Sequence, residues 1–286
     1  MIKILKYFFE AVIIYFFFII IKLFGLSISR PFFSFLFKII GPLLKSKKTI
    51  EKNLDIFSSK ISKKRKIEIE KNMWSNYGKT FVEYMFLKKF RKENLHIEIE
   101  GKEILERISQ NKKPVIFISG HFANFELMSM EITKNKINLA TIYRPLNNFF
   151  LNPTMEYLRK KYVCKEQIKK GRSGLKICVN YLKRNFSIAL MIDQRLGEGE
   201  RVLFFNKKAH TTSLPAQLAL KYNINIVPVL IERRENQVFK MKVQNPMNVS
   251  NIKNKSEITL KLNQILEKMI LKNPDQWIWT HNRWKK

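Results

Sequence analysis

The sequence predicts an α/β fold with a mixed, largely parallel central sheet and helices on both faces, preceded by an N-terminal hydrophobic membrane anchor. Four short apolar runs have the length and composition of buried strands, and helical patterns separate them. Strands that alternate with helices favour a parallel sheet. The predicted strands cover residues 115–118, 137–145, 187–192 and 224–231.

The segments around these strands are mostly helical in pattern. Residues 49–90 are charged and carry an aromatic stripe at helical spacing, which packing alone explains, and residues 96–100 alternate like an edge strand. The helix predicted at 257–272 places its apolar side chains on one face, as expected of a helix that packs on a core. The segment after it is rich in tryptophan, and we expect these rings to pack against the domain, with a membrane-interface belt or a docking site as the alternatives.

The N-terminal region is the most apolar part of the chain. Residues 4–26 carry three charges, and a second apolar stretch at 31–44 is interrupted by a Gly-Pro pair. The uninterrupted core at 11–21 is shorter than the ~20 residues that a span needs, although flanking lysines extend it by snorkelling. We predict a single span or membrane-embedded anchor over residues 1–48, with an interfacial hairpin and a cleaved signal peptide as alternatives, and a second domain over residues 49–286.

Basic residues follow this anchor and predict which side of the membrane holds the second domain. The positive-inside rule keeps segments rich in Lys and Arg on the cytoplasmic side. We therefore expect the second domain to face the cytoplasm. The basic residues are Arg30, Lys38, Lys45, Lys47 and Lys48.

The composition points to an acidic partner or surface. The chain has 54 Lys and Arg residues against 23 Asp and Glu residues, a net charge of +31, which suits nucleic acid, anionic lipid or an acidic carrier protein. The chain is also rich in Lys, Ile, Asn and Phe together, which is typical of genes with A/T-rich codons. Part of the positive charge therefore has an explanation that involves no function. No nucleic-acid-binding motif accompanies the charge, so a membrane-tethered nucleic-acid-binding protein is the remote alternative.

Cysteine and histidine are too few for a metal site of familiar spacing. Cys164 and Cys178 form no metal-spaced set, and we expect buried or idle thiols in a reducing compartment. The four histidines include no HExxH pattern. We therefore predict no metal ion and no other cofactor.

The main chemical motif lies at residues 120–126, where a predicted buried strand ends. His121 follows a glycine, Asn124 is a suitable N-cap for the next helix, and Glu126 then falls in the first turn, where the helix dipole favours an anion. In one continuous helix His121 and Glu126 would point about 140° apart, so they meet only if His121 lies in the loop. A carboxylate at one imidazole nitrogen makes the other a better base. On spacing alone, an ordinary loop histidine and a solvated acid are the simpler interpretation.

Other polar residues follow the ends of predicted strands. Arg144 ends the second strand, and Asp193 and Arg195 come directly after the third. Ligands of parallel sheets bind at the carboxyl ends of strands, so this coincidence favours a functional site around His121. No serine or cysteine stands in a nucleophile-elbow motif, and direct attack by a bound alcohol therefore fits better than a covalent enzyme intermediate.

These residues resemble the late acyltransferases of lipid A biosynthesis, the lauroyl and myristoyl transferases of the lysophospholipid acyltransferase superfamily. Those membrane-bound enzymes carry an HxxxxE or HxxxxD signature, present here from His121 to Glu126, and glutamate is closer to the lipid A branch than to the glycerol-phosphate branch. Further blocks match in order: Tyr143-Arg144-Pro145, Arg159, Arg172 with Gly174, Asp193-Gln194, Phe204-Phe205, Ala216 with Leu218-Ala219, Val227-Pro228, and the closing block from Gln276 to Trp284.

The resemblance implies a glycerol-3-phosphate acyltransferase-like fold and transfer of a fatty acyl group from an acyl carrier protein or acyl-CoA to a hydroxyl of a phosphorylated glycolipid, a lipid A precursor. It implies that His121 is the general base and that Glu126 orients and stabilises the imidazolium. The expected location is the bacterial inner membrane, with the acyltransferase domain facing the cytoplasm. The expected partners are the acyl donor, the glycolipid and the anionic membrane surface, without nucleic acid. A lysophospholipid or another glycolipid is the alternative acceptor.

Four further residues are candidates for binding the substrate. Arg144 and Arg159 suit either an oxyanion or an acceptor phosphate, because a guanidinium fork matches planar oxygens. We expect Asp193 to orient one of these arginines, and Arg172 is a weaker candidate. An Arg144–Asp193 ion pair that is only structural is the alternative. Asn206 stands where the family usually has a glycine, and asparagine tolerates the left-handed backbone.

Overall fold

In the part of the chain that the structure describes, nine strands form a seven-stranded sheet and a separate two-stranded hairpin. The computed structural model describes residues 2–44, 47–171, 174–197, 199–252 and 254–285. The described strands are β1 (Ile97–Glu100), β2 (Ile116–Ser119), β3 (Leu139–Tyr143), β4 (Glu166–Lys169), β5 (Ser187–Met191), β6 (Glu200–Phe204), β7 (Lys207–Thr211), β8 (Ile226–Arg233) and β9 (Phe239–Val243).

The sheet has the order β1-β9-β8-β2-β5-β3-β4, and β6 pairs with β7 outside it. Neighbouring strands of the sheet run parallel except for β8 and β9, which are antiparallel. This arrangement confirms the predicted mixed, largely parallel sheet. β2 lies between β8 and β5 and is buried along its whole length, so its carboxyl end opens near the middle of the sheet edge.

Helices cover both faces of the sheet. They are α1 (Ile2–Leu44), α2 (Lys47–Phe57), α3 (Lys63–Glu83), α4 (Leu87–Lys92), α5 (Lys102–Asn111), α6 (Glu126–Lys134), α7 (Asn152–Leu158), α8 (Gly174–Lys183), α9 (Leu214–Tyr222) and α10 (Lys255–Lys272), with 3₁₀ turns at Tyr84–Phe86 and Pro274–Gln276 and a π-helical turn at Arg159–Val163.

Alternate residues of β2 join two different cores. Ile116 and Ile118 pack with α2, α3, α8, α9 and α10, whereas Phe117 packs with α4, α5 and α6. Because successive side chains of a strand point to opposite faces, these two cores lie on opposite sides of the sheet, as predicted. The closing block from Gln276 to Trp284 is called the terminal block below. Its tryptophans are buried in the first core, which confirms that they pack against the domain: Trp277, Trp279 and Trp284.

The long α1 consists of two arms that fold back on each other. Gly25 has φ 76° and ψ 175°, outside the helical region and in the range that favours glycine. The rings of Phe17 and Phe33 lie 5.4 Å apart, centroid to centroid, whereas the same sixteen residues in one straight helix would span about 24 Å. Residues 2–44 are therefore a helical hairpin, the name used below.

The helical hairpin is the one segment of the described chain that is long and apolar enough to cross a membrane, with a mean hydropathy of 2.5 over the most apolar part of Ile2–Leu43. The bend at Gly25 gives this segment a hairpin shape, and the membrane-embedded anchor stays a prediction. The second arm stays helical through the Gly41-Pro42 pair that interrupts its apolar sequence. The domain boundary at residue 48 stays a prediction.

The second arm of the helical hairpin packs closely on α3. A Cβ on Gly78 would lie 2.1 Å from the carbonyl oxygen of Phe33, so the two backbones touch at this point. One turn away on α3, the hydroxyls of Ser34 and Ser75 lie 2.7 Å apart. Small residues therefore set the distance between the hairpin and the domain.

The first arm lies on the loop that follows β3. The hydroxyl of Tyr15 donates to the carbonyl of Phe150 at 2.9 Å. Nδ2 of Asn148, a buried residue of this loop, donates to the carbonyl of Tyr7 at 2.8 Å. Both arms are therefore fastened to the domain, the first on this loop and the second on α3.

The turn between β6 and β7 uses left-handed backbone. Phe205 has φ 50° and Asn206 has φ 57°, and two consecutive residues with positive φ are typical of a type I′ hairpin turn. This confirms the expectation that Asn206 replaces a glycine in a left-handed position.

Replacing Gly78 with alanine should destabilise the protein, although the same change within a helix normally stabilises it by about 0.5–1 kcal/mol. The added Cβ has to displace the backbone of Phe33, and overpacking of this kind costs about 1–3 kcal/mol. Gly171→Ala is the matched control, because nothing lies within 4 Å of a Cβ there. Thermal unfolding in detergent measures both variants; a Gly78→Ala midpoint at or above that of the control would contradict the described packing.

Candidate active site

His121 lies in a tight loop between β2 and α6. Gly120 ends the strand, and a Cβ there would lie 3.2 Å from Oδ2 of Asp193, so a larger residue would crowd the carboxylate. Ala123 has φ 44°, an unfavourable conformation for alanine that persists only when its surroundings hold it. Its N–H donates to the carbonyl of Gln276 at 3.2 Å. The loop presents His121 at the carboxyl end of β2, as the sequence predicts.

A buried aspartate from the neighbouring strand holds the imidazole of His121. Asp193 follows β5, which pairs with β2. Nδ1 of His121 lies 2.7 Å from Oδ1 of Asp193, and the His121 backbone N–H donates to Oδ2 at 2.7 Å. The indole N–H of Trp277 donates to Oδ2 at 2.9 Å. Because an ionised carboxylate only accepts hydrogen bonds, Nδ1 carries the proton and Nε2 is the free acceptor.

The charge of Asp193 suits this role. Its side chain is fully buried, and burial alone would raise its pKa, but the charge of His121 and the hydrogen bonds from His121 and Trp277 outweigh burial and lower the pKa below its ordinary value. The carboxylate is therefore ionised at neutral pH. Its negative charge stabilises the imidazolium that forms when Nε2 takes up a proton.

Glu126 has no hydrogen bond or ion pair with His121 and binds Arg159 and Tyr84 instead. Its Oε1 accepts from Nε of Arg159 at 2.8 Å and from the Tyr84 hydroxyl at 2.7 Å. The predicted pairing of His121 with Glu126 is wrong in this structure. The loop turns His121 toward the end of β5, whereas the first turn of α6 directs Glu126 toward the π-helical turn that carries Arg159.

Arg159 is a cation held in place by these contacts. Burial alone would lower its pKa, but the charge of Glu126 and the hydrogen bonds to Glu126 and Tyr84 raise the pKa above its ordinary value. Nη2 contacts Glu126 at 2.6 Å, and Nη1 has no hydrogen-bond partner among the described residues. Arg159 thus keeps one nitrogen for a ligand.

The other candidate binding residues do not have the partners that the sequence predicts. Asp193 orients His121 and not an arginine, and it makes no ion pair with Arg144. Arg144 is exposed at the end of β3, where Nη2 contacts Oδ1 of Asn147 at 3.5 Å. Arg172 lies outside the described residues.

The start of α6 also differs from the prediction. The helix begins at Glu126, which lies in the first turn as expected, but its N-cap is Phe125 and no side chain caps it. Asn124, the predicted cap, directs Nδ2 to Glu83 at 3.1 Å. Its amide therefore ties the loop to α3.

A cavity of about 400 Å³ lies beside His121, within the range of about 300–1,000 Å³ typical of ligand pockets. Its lining is mostly apolar and comes from the helical hairpin, α3, the loop after β3 and the terminal block. The helical hairpin contributes Ile14, Phe18 and Phe37, and the polar groups include His121 and Arg159. A long apolar ligand in this cavity would therefore reach both the imidazole and the guanidinium.

The sequence pattern assigns two residues of this site, Tyr84 and Trp277, to packing alone. Helical spacing identifies the aromatic stripe of α3 without showing that Tyr84 at its end binds Glu126. For Trp277, the one signal in the sequence is its position in the terminal block.

Over the part of the chain that the structure describes, no three His, Cys, Asp or Glu side chains are grouped to hold a metal ion.

Comparison with known proteins identifies the family of this chain. The sequence model of the bacterial lipid A biosynthesis acyltransferase family matches residues 1–286. This chain belongs to that family. A weaker structural likeness, with a TM-score of 0.41 and 14% identity, covers 89% of this chain and 100% of a 1-acyl-sn-glycerophosphate acyltransferase from Thermotoga maritima.

Two curated relatives are similar to this chain at modest sequence identity. The chain is 25% identical over 192 residues to a lipid A biosynthesis palmitoleoyltransferase and 23% identical over 192 residues to a lipid A biosynthesis lauroyltransferase, both from Escherichia coli strain K12. Each match covers 66% of this chain and 61% of the relative. The chain thus spans about three-fifths of the length of these relatives.

His281, in the terminal block, is a partly buried imidazole near this site. Nε2 accepts the backbone N–H of Arg195 at 2.8 Å. Burial is the main cause that lowers the pKa of His281 to about 4; the negative charge of Asp193 opposes it, and the positive charge of Arg283 adds to it.

The free energy of unfolding should therefore fall as the pH drops from about 6.5 toward 4. In this window the unfolded chain, with an ordinary histidine pKa of about 6.5, takes up a proton that folded His281 does not, which gives a slope of up to about 1.4 kcal/mol per pH unit. His281→Gln should reduce the slope, because its amide oxygen can accept the Arg195 N–H without titrating. Urea unfolding across the window compares the two proteins, and equal slopes would contradict the assignment.

Proposed function

We propose that this chain transfers a fatty acyl group from an acyl carrier protein, or from acyl-CoA, to a hydroxyl of a lipid A precursor. The observation that carries the proposal is the His121–Asp193 pair beside an apolar cavity. Membership of the lipid A acyltransferase family supports the reaction class. The names of the palmitoleoyl and lauroyl transferases that it resembles support a lipid A acceptor.

His121 acts as the general base in this proposal. The acceptor hydroxyl oxygen attacks the thioester carbonyl carbon while Nε2 of His121 removes the hydroxyl proton. The tetrahedral intermediate then collapses, the carbon–sulfur bond breaks, and the imidazolium returns its proton to the leaving thiolate. Asp193 keeps Nδ1 protonated and stabilises the imidazolium during the interval.

Arg159 stabilises the oxyanion that forms when the carbonyl is attacked. It lines the same cavity as His121, and its Nη1 makes no bond to another described side chain. A donor that is already aimed at the developing charge needs no rearrangement during the reaction. Glu126 and Tyr84 then serve to position Arg159, which gives Glu126 a role different from the one that its spacing predicts.

Different parts of the surface suit the acyl chain, the glycolipid phosphate and the acidic carrier protein. The apolar lining that the helical hairpin shares with α3 suits the acyl chain. Arg144, exposed at the end of β3, suits a phosphate of the glycolipid. The net charge of +31 favours approach of an acidic carrier protein and of anionic headgroups.

The helical hairpin would hold the protein on the cytoplasmic face of the bacterial inner membrane. Its outward side exposes a row of large apolar side chains, including Phe9, Phe16 and Phe35, which are 61%, 58% and 65% exposed. Contiguous exposed apolar surface of this kind marks a membrane or protein contact. Because the hairpin also lines the cavity, a lipid can pass between the bilayer and His121 without crossing the basic surface.

His121→Ala should lower kcat for acyl transfer by about 10²–10⁴-fold, the usual contribution of a general base. Asp193→Asn should have a comparable effect, because an amide neither fixes the Nδ1–H tautomer nor stabilises the imidazolium. Glu126→Gln should lower kcat through Arg159 and leave the pH dependence of the rate unchanged. Acyl transfer by purified protein measures the rates, and mass spectrometry of lipid A from cells with and without the chain identifies the acceptor.

His210→Ala is the control for these variants, since Nδ1 of His210 binds the carbonyl of Gly199 in the β6–β7 hairpin, outside the cavity. Turnover of His121→Ala equal to that of His210→Ala would remove the proposal. An unchanged lipid A mass spectrum together with acylation of a lysophospholipid would leave His121 as the general base and identify the lysophospholipid as the acceptor.

Replacing Phe9, Phe16 and Phe35 together with serine should release the protein from anionic vesicles in a flotation assay. Burying each ring contributes about 1.5–3 kcal/mol to binding, so the loss should exceed 10²-fold. The control replaces three exposed leucines outside the helical hairpin with serine: Leu95, Leu175 and Leu271. Equal flotation of the two triple variants would show that the hairpin is not the membrane contact.

A further inference from the structure

The carboxylate of Glu83 joins three separate parts of the chain. Its side chain is completely buried at the end of α3. Oε1 accepts from Nε of Arg30 at 2.9 Å and from Nη1 of Arg233, and Oε2 accepts from Nη2 of Arg233 at 3.0 Å and from Nδ2 of Asn124 at 3.1 Å. All of its acceptor positions are therefore directed at defined partners.

Arg30 brings the helical hairpin into this network. It lies on the second arm, and its side chain is 12% exposed. Among the described residues, this is the ion pair that joins the second arm to the domain; Lys38, on the same arm, makes none. The docked position of the hairpin therefore determines where the guanidinium of Arg30 meets Glu83.

Asn124 brings the loop between β2 and α6, called the catalytic loop below, into the network. It is 1% exposed and follows His121 by three residues. Next to it, Ala123 is held in its left-handed conformation, and the Thr80 hydroxyl donates to the Ala123 carbonyl at 3.1 Å. The amide of Asn124 holds the same loop on α3 one turn further along the helix, so a shift of Glu83 would move the backbone that carries His121.

Arg233 closes the network around the loop. Nη2 donates to the Thr80 hydroxyl at 3.3 Å, and the Arg233 backbone N–H donates to Oε1 of Gln276 at 2.8 Å. The carbonyl of Gln276 is the acceptor for the Ala123 N–H. The contacts that hold the loop thus converge on the side chains that surround Glu83.

The charges in this cluster are unequal. One carboxylate faces two guanidiniums, those of Arg30 and Arg233, in the interior. Loss of Arg30 leaves a balanced Glu83–Arg233 pair, whereas loss of Glu83 leaves two buried cations without a counter-charge, which is strongly destabilising. Arg30 is therefore the position at which the network can be perturbed while the fold is retained.

We propose that Glu83 is a positioning residue that couples the docking of the helical hairpin, through Arg30, to the geometry of the catalytic loop, through Asn124. This inference rests on the proposed function of His121. It means that the hairpin sets the alignment of the base with the bound acyl group, in addition to lining the cavity. Displacement of reacting groups by about 1 Å costs about 10²-fold in rate, so the coupling acts on kcat.

The test compares Arg30→Met with Lys38→Met in the full chain, reconstituted in vesicles of anionic and zwitterionic phospholipid. We expect Arg30→Met to lower kcat by about 10- to 100-fold, with the KM for the acceptor and the fraction of vesicle-bound protein within twofold of wild type. Arg30→Lys should recover part of the rate, because its ammonium can reach one oxygen of Glu83. Lys38→Met should keep the wild-type kcat.

Two results would overturn the inference. One is a kcat of Arg30→Met within twofold of wild type. The other is a loss that follows only the fraction of unfolded or unbound protein, which thermal unfolding and flotation report. If His121→Ala abolishes transfer while Arg30→Met is fully active, the proposed function stands and the coupling fails; if His121→Ala is active, the function itself fails.

A double-mutant cycle separates coupling from two independent effects. Arg30 and Asn124 bind different oxygens of the same carboxylate, so their substitutions should not be additive if both act through Glu83. We expect Arg30→Met with Asn124→Ala to be no more than threefold slower than the slower single variant. A double variant whose rate equals the product of the two separate losses would contradict the coupling.

Discussion

The buried carboxylate of Asp193 is the interaction on which this site depends. An ionised carboxylate in the interior is costly unless donors satisfy it, and here the ring and backbone of His121 and the indole of Trp277 converge on it. The carboxylate follows the end of β5, and its donors come from the loop after β2 and from the terminal block. The imidazole is therefore oriented only once the parallel sheet has formed and the terminal block has packed across its edge.

The helical hairpin extends this dependence to the most apolar part of the chain. Its bend at Gly25 and its close contact with Gly78 place Phe18 on the cavity wall, within the same packed unit as α3. An anchor joined by a flexible linker would leave the cavity open on that side. Here the exposed apolar surface of the helical hairpin and the cavity wall beside His121 belong to one packed arrangement of helices, which is the basis of the proposed coupling between the hairpin and the loop that carries His121.

The sheet and the position of His121 just past the carboxyl end of β2 could be predicted from local patterns, because alternation and apolar runs are properties of short segments. The acid that pairs with His121 could not. Glu126 is close in sequence, whereas Asp193 is 72 residues away, and only the strand order β2-β5 brings it near. Likewise the sequence shows glycines at 25 and 41 alike; the first bends the chain, whereas the second makes room for the Trp74 ring.

The central claim is that Asp193 holds His121 with Nδ1 protonated and Nε2 free. ¹⁵N NMR of histidine-labelled protein in detergent, above the titration range of the imidazole and with His121→Ala to assign the signal, measures this tautomer directly. The account predicts a protonated Nδ1 and an unprotonated Nε2 at His121, and loss of that preference in Asp193→Asn. A protonated Nε2 in the wild-type protein, or the same spectrum in both proteins, would contradict it.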